Sequence, residues 1–243
     1  MNRIIQGDCR VVLADMPAGS VDMVLADPPY GETSLAWDKR VDGWLDACLR
    51  VMKPSASLWC FGSMRFFMER ADDFSGWRMA QDVVWQKHNG SGFDRDRFRR
   101  VHEHVLHFYP ASAKWRDIYR DPQFVPGDPR PGAGAVLKQQ GRFDHRGKIG
   151  VAPYRFTDKR LMTSVIPVRS CHHHAIHPTQ KPVELLASLI RYSCPPGGTV
   201  LDPFAGSGST LEAAALAGRV GIGIEEKQEY AEAARVRLGL LAA

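Results

Sequence analysis

The sequence predicts an α/β fold, a mostly parallel sheet with helices on its faces, interrupted by an irregular basic insert. Three observations carry that expectation. Short apolar runs alternate with helically spaced segments at both ends of the chain. Between about 88 and 165 the periodicity is lost, and Gly, Pro, Arg and aromatic residues crowd together. The chain has 243 residues and 44% apolar side chains, enough to bury a core without a disulfide or metal staple.

The elements follow in order. Val21-Asp22-Met23-Val24-Leu25-Ala26 is a short apolar run that stops at Asp27-Pro28-Pro29-Tyr30-Gly31, a buried strand running into a rigid loop. Val41, Trp44, Leu45, Cys48, Leu49 and Met52 have helical spacing, and Pro54 is expected to end that helix. Residues 57–61 read as a strand, Ser63 as the cap of a helix over 64–71, and 79–86 as a third strand. Within the irregular stretch only 101–109 alternates like a strand. Order returns with a helix over 182–193 that begins at Pro182. A strand at 199–201, a Gly-rich turn and a helix from about 209 to 217 come next, then a strand at 220–224 and a helix over about 228–239. The expected organisation is a first half, 1–87, an insert, 88–165, and a second half, 166–243, with the two halves forming one domain.

Charge is uneven. Residues 87–160 hold 16 Lys and Arg against 8 Asp and Glu, whereas the rest of the chain carries a net −3. A basic segment in a slightly acidic frame points to a polyanion, most simply nucleic acid, and a solvated basic face is the plainer reading of the same charge. Within it Arg95, Arg97, Arg99 and Arg100 cluster. Such a cluster grips phosphates or reads guanine edges, diluted here by Asp94 and Asp96. Phe93, Phe98, Trp115 and Tyr119 either pack locally, the plainer reading, or wedge into a base stack. Five widely spaced cysteines without a C-x-x-C pair suit reduced thiols. No 18-residue apolar run exists, and the first eight residues lack an apolar leader, so a cytoplasmic location and no membrane partner are expected. Cys171-His172-His173-His174 with His177 has the composition of a metal site, but three adjacent histidines cannot converge on one ion, and no metal is expected.

Two segments carry chemistry. The first is Leu201-Asp202-Pro203-Phe204-Ala205-Gly206-Ser207-Gly208-Ser209-Thr210, a glycine-bearing turn between a strand and a helix. Its backbone allows close approach of a ligand, and Glu225, at the end of the next strand, suits the two hydroxyls of a ribose. Leu211 stands where a dinucleotide site has its third glycine, which disfavours a nicotinamide dehydrogenase. The Asp202 carboxylate suits an ammonium or sulfonium better than a pyrophosphate. The second segment is Asp27-Pro28-Pro29-Tyr30. Its prolines hold the Asp27 carboxylate and the Pro28 carbonyl as two fixed acceptors for an amino group, and Tyr30 offers a flat face. A plain Pro-Pro turn is the alternative when the segment is taken alone.

Both segments recur with Gly7-Asp8-Cys9, Leu49-Arg50-Val51-Met52-Lys53-Pro54, Trp85-Gln86-Lys87, His102-Glu103 and His177-Pro178-Thr179-Gln180-Lys181-Pro182. In this order the set resembles the β group of the S-adenosylmethionine-dependent DNA amino-methyltransferases, the adenine-N6/cytosine-N4 family. The resemblance implies a permuted doubly wound, Rossmann-like methyltransferase fold. It implies S-adenosylmethionine as cofactor, double-stranded DNA as partner, restriction–modification as the usual setting, and a homodimer as one assembly. It would put Phe204, Ala205, Gly206, Ser207 and Gly208 along the cofactor, Glu225 on its ribose, and Asp8 and Cys9 near its adenine. Lys181 and Thr210 would lie near its carboxylate. Asp27 would serve both the cofactor's edge and the target amine, and the insert would recognise the target. The leading Asp leans toward adenine N6. Cytosine N4 and a catalytically silent DNA-binding relative are the alternatives.

Overall fold

The computed structural model describes residues 2–35, 38–91, 96–127, 136–137, 154–155, 159–171 and 180–240. They form two compact units, Met1–Asp121 with Ser164–Ala243, and Pro122–Thr163. The smaller unit carries two short antiparallel pairs, described at the end of this section.

The chain begins with β1 (Arg3–Gln6), α1 (Cys9–Asp15), β2 (Val21–Ala26), α2 (Trp44–Val51), β3 (Met52–Gly62) and α3 (Met64–Glu69). β4 (Trp77–Ser91) and β5 (Arg100–Pro110) follow. β6 (Phe124–Pro126), β7 (Val136–Leu137), β8 (Tyr154–Arg155) and β9 (Lys159–Leu161) lie in the smaller unit. The chain then returns with β10 (Val165–Pro167), α4 (Val183–Ser193), β11 (Thr199–Asp202), α5 (Ser209–Leu216), β12 (Val220–Glu225) and α6 (Gln228–Arg237). Eight strands form one sheet in the order β1-β12-β11-β2-β3-β5-β4-β10. All neighbours are parallel except that β5 runs antiparallel to β3 and β4. The first strand of the chain sits beside the last, which is the permutation the motif order implied.

Alternation along the strands shows why helices cover both faces. Leu58 and Cys60 of β3 belong to a core cluster with Leu13 of α1, Cys48 of α2 and Phe66 of α3. The intervening Trp59 points the other way, and its indole donates to Ser193 Oγ at the end of α4 (2.7 Å). On that side Ile4 of β1 packs with Leu211 of α5 and Ala231 and Ala234 of α6.

Several expectations are revised. Pro54 does not close a helix. α2 ends at Val51, and Pro54 lies inside β3 where the pairing with β2 shifts register between Val21↔Met52 and Met23↔Ser57. A bulge tolerates the missing N–H. The insert expected over 88–165 does not coincide with the smaller unit: β4 runs on to Ser91, and β5 is an inner strand of the main sheet. β1, α1 and β10 were too short to register in the sequence pattern. In the smaller unit β6 pairs with β9 and β7 with β8, both antiparallel. No described helix is long and apolar enough to cross a membrane. All five cysteines are thiols.

Candidate active site

β11 leads through α5 outward to β12, while β2, its other neighbour, leads through α2 to β3 on the opposite side. Ligands of such sheets bind beyond the carboxyl ends of the strands at this reversal. Here the ends of β1, β2, β11 and β12 surround a cavity of about 520 Å³.

The expected cofactor segment lines it. The Asp202 carboxylate is buried and accepts the Phe204 N–H (2.9 Å), and Thr210 donates to it. Burial, followed by the charges of Asp27 and Glu225, lifts its pKa to about 7 against those hydrogen bonds. Glu225 is held by two backbone donors, Gly206 N–H to Oε2 and Lys227 N–H to Oε1 (both 2.9 Å). Each oxygen keeps a lone pair for a further donor. Burial pushes this carboxyl up as well. Phe204, Ala205 and Ser207 complete that wall, and the Phe204 ring meets Trp44 edge-on at 5.2 Å. Across the cavity Asp8 caps α1 and pairs with Arg10 (2.6 Å), and Cys9 stays a thiol because burial raises it to about 12.

Gly208 is the exception among the expected cofactor residues: it does not line the cavity. It adopts φ +76°, and a Cβ there would stand 3.2 Å from the Ala234 methyl of α6. Its smallness serves helix packing and the turn.

Asp27 follows β2, with Pro28 buried and Pro29 on the cavity wall. Tyr30 Oη donates to Asp27 Oδ1 (2.6 Å), and the Lys181 ammonium donates to Oδ2. Lys181 also lies 3.4 Å from Glu103 Oε2, and Lys87 donates to Glu103 Oε1. The result is an alternating chain, Asp27–Lys181–Glu103–Lys87, in which Lys181 is buried and the other three are half-buried. Burial alone would raise Glu103, but the two ammonium groups outweigh it and hold the carboxyl at about 2. Burial would likewise lower Lys181, and Asp27 with Glu103 keep it above its ordinary range. Lys181 therefore lines the cavity as the sequence suggested, while its ammonium is engaged by two carboxylates of the protein. Tyr30 is not a free-standing plate. Its ring rests on Phe66 at 5.3 Å against the core, and burial together with Asp27 keeps it a phenol.

A second cavity of about 320 Å³ lies beside Glu103, with Ser63, Arg65, Arg100 and His102 among its walls. The charged chain thus runs from the wall of one cavity to the wall of the other. Sequence reasoning had quoted Lys87 and Glu103 without a role and had missed Asp38. This buried carboxylate accepts the N–H groups of Gly31 (2.8 Å), Glu32 (3.0 Å) and Thr33 (2.7 Å) and so fixes the loop after Tyr30. An Asp a few residues beyond a Pro-Pro-aromatic-Gly turn was the available signal. Arg97, Arg99 and Arg100 are exposed at the β4–β5 hairpin. Arg95 lies outside the described residues, as do His172–His174 and His177, so the metal expectation is not addressed by the fold.

A family model for DNA methylases matches residues 21–236. The protein YubD of Escherichia coli strain K12 is 33% identical over 250 residues, covering 98% of this chain and 90% of that protein. Type II methyltransferase M.HinfI of Haemophilus influenzae is 28% identical over 270 residues, covering 98% of this chain and 68% of that protein. Among solved structures, the M1.HpyAVI–SAM complex superposes with a TM-score of 0.65 at 24% identity, covering 98% of this chain and all of that one. The cytosine-N4-specific PvuII DNA methyltransferase superposes with 0.66 at 17% identity, covering 96% of this chain and 85% of that one. The match over nearly all of the main sheet, with the acidic site at the strand ends, establishes that the chain belongs to the N6/N4 DNA methylase family.

Proposed function

We propose that this DNA methyltransferase moves a methyl group from S-adenosylmethionine to the N6 amino group of adenine in double-stranded DNA. The observation that carries the reading is Asp27, on the wall of the larger cavity and fixed there by Tyr30 and Lys181.

The residues fit the cofactor. The larger cavity sets Asp202 and Glu225 where a cationic nucleoside with ribose hydroxyls finds acceptors, and Phe204 supplies apolar wall. Lys39, Arg40 and Lys227 on the rim suit its carboxylate. Bound S-adenosylmethionine supplies an electrophilic methyl on a sulfonium. The protein's part is to hold the target. Each Asp27 oxygen already accepts one hydrogen bond and retains a lone pair, so the carboxylate accepts an N–H of the target amine. Together with the Pro28 carbonyl it localises the nitrogen lone pair and stabilises the charge that develops there. Tyr30 and Lys181 keep the carboxylate from turning. The target nucleotide must leave the stack to reach Asp27, and unstacking it costs a few kcal/mol. Arg97, Arg99 and Arg100, with the basic insert, engage the duplex.

Replacing Asp27 by Ala removes the acceptor, and turnover is expected to fall by ~10²–10³ with the fold intact. Near-normal turnover would overturn the role. The adenine assignment rests on Asp heading the tetrapeptide. Nucleoside mass spectrometry of modified DNA is expected to show N6-methyldeoxyadenosine, and N4-methyldeoxycytidine alone would reassign the substrate and leave the mechanism standing.

A further inference from the structure

We propose that Phe98 is a wedge that enters the DNA base stack at the position the target nucleotide vacates. The inference rests on the base-flipping methyltransferase reading above and adds to it the residue that fills the gap.

The first observation is burial. Phe61, Phe66, Phe67, Phe74 and Phe108 are all buried, whereas Phe98 is 101% exposed, as open as a phenyl ring can be. A ring held in water forgoes the free energy that its burial would release, and a partner that covers it recovers that term.

The second observation is the charge around the ring. Arg97, Arg99 and Arg100 flank it in the sequence and are exposed. Arg97 is paired with Asp96 (2.9 Å). Arg99 lies across the opposite strand: a Cβ on Gly90 would meet its Cγ, Cδ and Nε at 2.3–2.7 Å, so the missing side chain is the seat of Arg99. The hairpin thereby carries its aliphatic stem at a fixed place. A flat apolar ring among guanidinium groups is complementary to a stack of bases edged by phosphates, and not to an apolar protein groove.

The third observation is position. Trp85 pairs with Glu103 and Gln86 with His102, the register shifts before Ser91 pairs with Arg100, and Phe98 lies two residues before β5 begins. At the root of the same hairpin Lys87 and Glu103 belong to the charged chain that reaches Asp27. Phe98 is five residues from Glu103, at most about 17 Å of fully extended chain. When a nucleotide leaves the stack for the site, its neighbours lose one stacking face each, and an aromatic ring inserted there replaces it.

The test uses the full-length protein and duplexes carrying the site found by methylation-sensitive sequencing of DNA from an expressing host. The target base is replaced by 2-aminopurine in one duplex, or flanked by it if that base is cytosine. In another the target faces an abasic position, so that it leaves the stack without breaking a pair. Phe98→Ala is expected to lower kcat/KM on the paired duplex by about 10- to 100-fold, the range of one base–aromatic stack. It should blunt the rise in 2-aminopurine fluorescence, and it should recover to within about threefold of wild type on the abasic duplex. Phe98→Trp should restore the paired-duplex rate. Equal rates for Phe98→Ala and wild type on the paired duplex would overturn the proposal. An equal loss on both duplexes would also overturn it, because the ring would then serve general docking. Sedimentation showing that Phe98→Ala only dissociates a dimer, with rates unchanged, would reassign the ring to a second copy of the chain. A wild-type protein without transfer to any DNA would overturn the methyltransferase reading itself, and that outcome is visible before any variant is made.

Discussion

Asp202 joins function and stability in one side chain. Its carboxyl titrates near pH 7 because burial disfavours the anion. Unfolded, it titrates near 3.8. Between those values the native state holds a proton that the unfolded state has lost, so stability falls as pH rises from about 4 to 7 and is level above. The full cost of the anion is on the order of a few kcal/mol. Asp202→Asn removes that cost. The ligand-free variant is expected to melt higher than wild type at pH 8, with the difference shrinking toward pH 4, and to bind S-adenosylmethionine more weakly. Thermal melts across that range and calorimetry at pH 8 check both halves, and a variant that melts lower at pH 8 contradicts the assignment. Glu103 has the opposite sign. Held at about 2 against an ordinary 4.5, its stabilising contribution is complete above pH 4.5 and is lost as pH falls toward 2. Glu103→Gln leaves Lys87 without its carboxylate and gives Lys181 to Asp27 alone. Breaking a fully buried pair costs about 3–5 kcal/mol, and this half-buried one costs less. The expected signature is a melting difference that is large at pH 7 and fades below pH 4, together with a kcat loss that exceeds any change in cofactor affinity. A fall in cofactor affinity alone would place Glu103 in the cofactor cavity's service instead.

At the scale of elements, the site depends on how turns are fixed. In the loop after Tyr30 the Asp38 carboxylate supplies acceptors for three successive N–H groups. Asp38→Ala leaves those donors without their partner, at about 1–3 kcal/mol for each group that water does not reach. Loosening of the Asp27–Tyr30 turn is expected to lower kcat by about tenfold or more while binding of the nonspecific duplex is retained. Unchanged turnover in a folded variant would show that Pro28 and Pro29 hold the turn alone. These features explain what the sequence disclosed. β2, β11 and β12 were legible as short apolar runs, α2 and α4 by helical spacing, and α5 and α6 by Ala-rich composition after a turn, while the first half of β3 was hidden behind Pro54. Ser63 was legible as a cap, and its hydroxyl does accept the Phe66 N–H (3.0 Å). β1 and α1 were not, because four and seven residues give no period to read. Gly208 was ambiguous because a glycine in a ligand-binding turn and a glycine under a crossing helix look alike in one dimension, and the 3.2 Å approach to Ala234 appears only in the fold. The ion chain was hidden for a related reason: Lys87, Glu103 and Lys181 come from distant positions, and only the antiparallel pairing of β5 brings them to Asp27.

Across the whole molecule the charge is divided. The middle of the sequence carries a surplus of eight positive charges, and the remainder is acidic. The acidic part contributes Asp8, Asp27, Asp202 and Glu225 to the cofactor cavity, together with Arg10, Lys39, Arg40, Lys181 and Lys227. The basic segment attracts a phosphate backbone at long range. Binding to nonspecific duplex then depends on counterion release, with log K falling against log salt by about 0.9 for each phosphate neutralised. If Arg97, Arg99 and Arg100 each cover one phosphate, their joint replacement by Ala should lower the slope by about 2.7 on any sequence. If one of them reads a guanine edge instead, the slope should fall by less, and specificity should relax at a single base position by ~1–3 kcal/mol. Titrations of target and scrambled duplexes at several salt concentrations separate these outcomes. A slope and a specificity both unchanged in the triple variant would move duplex binding away from the β4–β5 hairpin, and the wedge proposed for Phe98 would lose the phosphate contacts that set it in place.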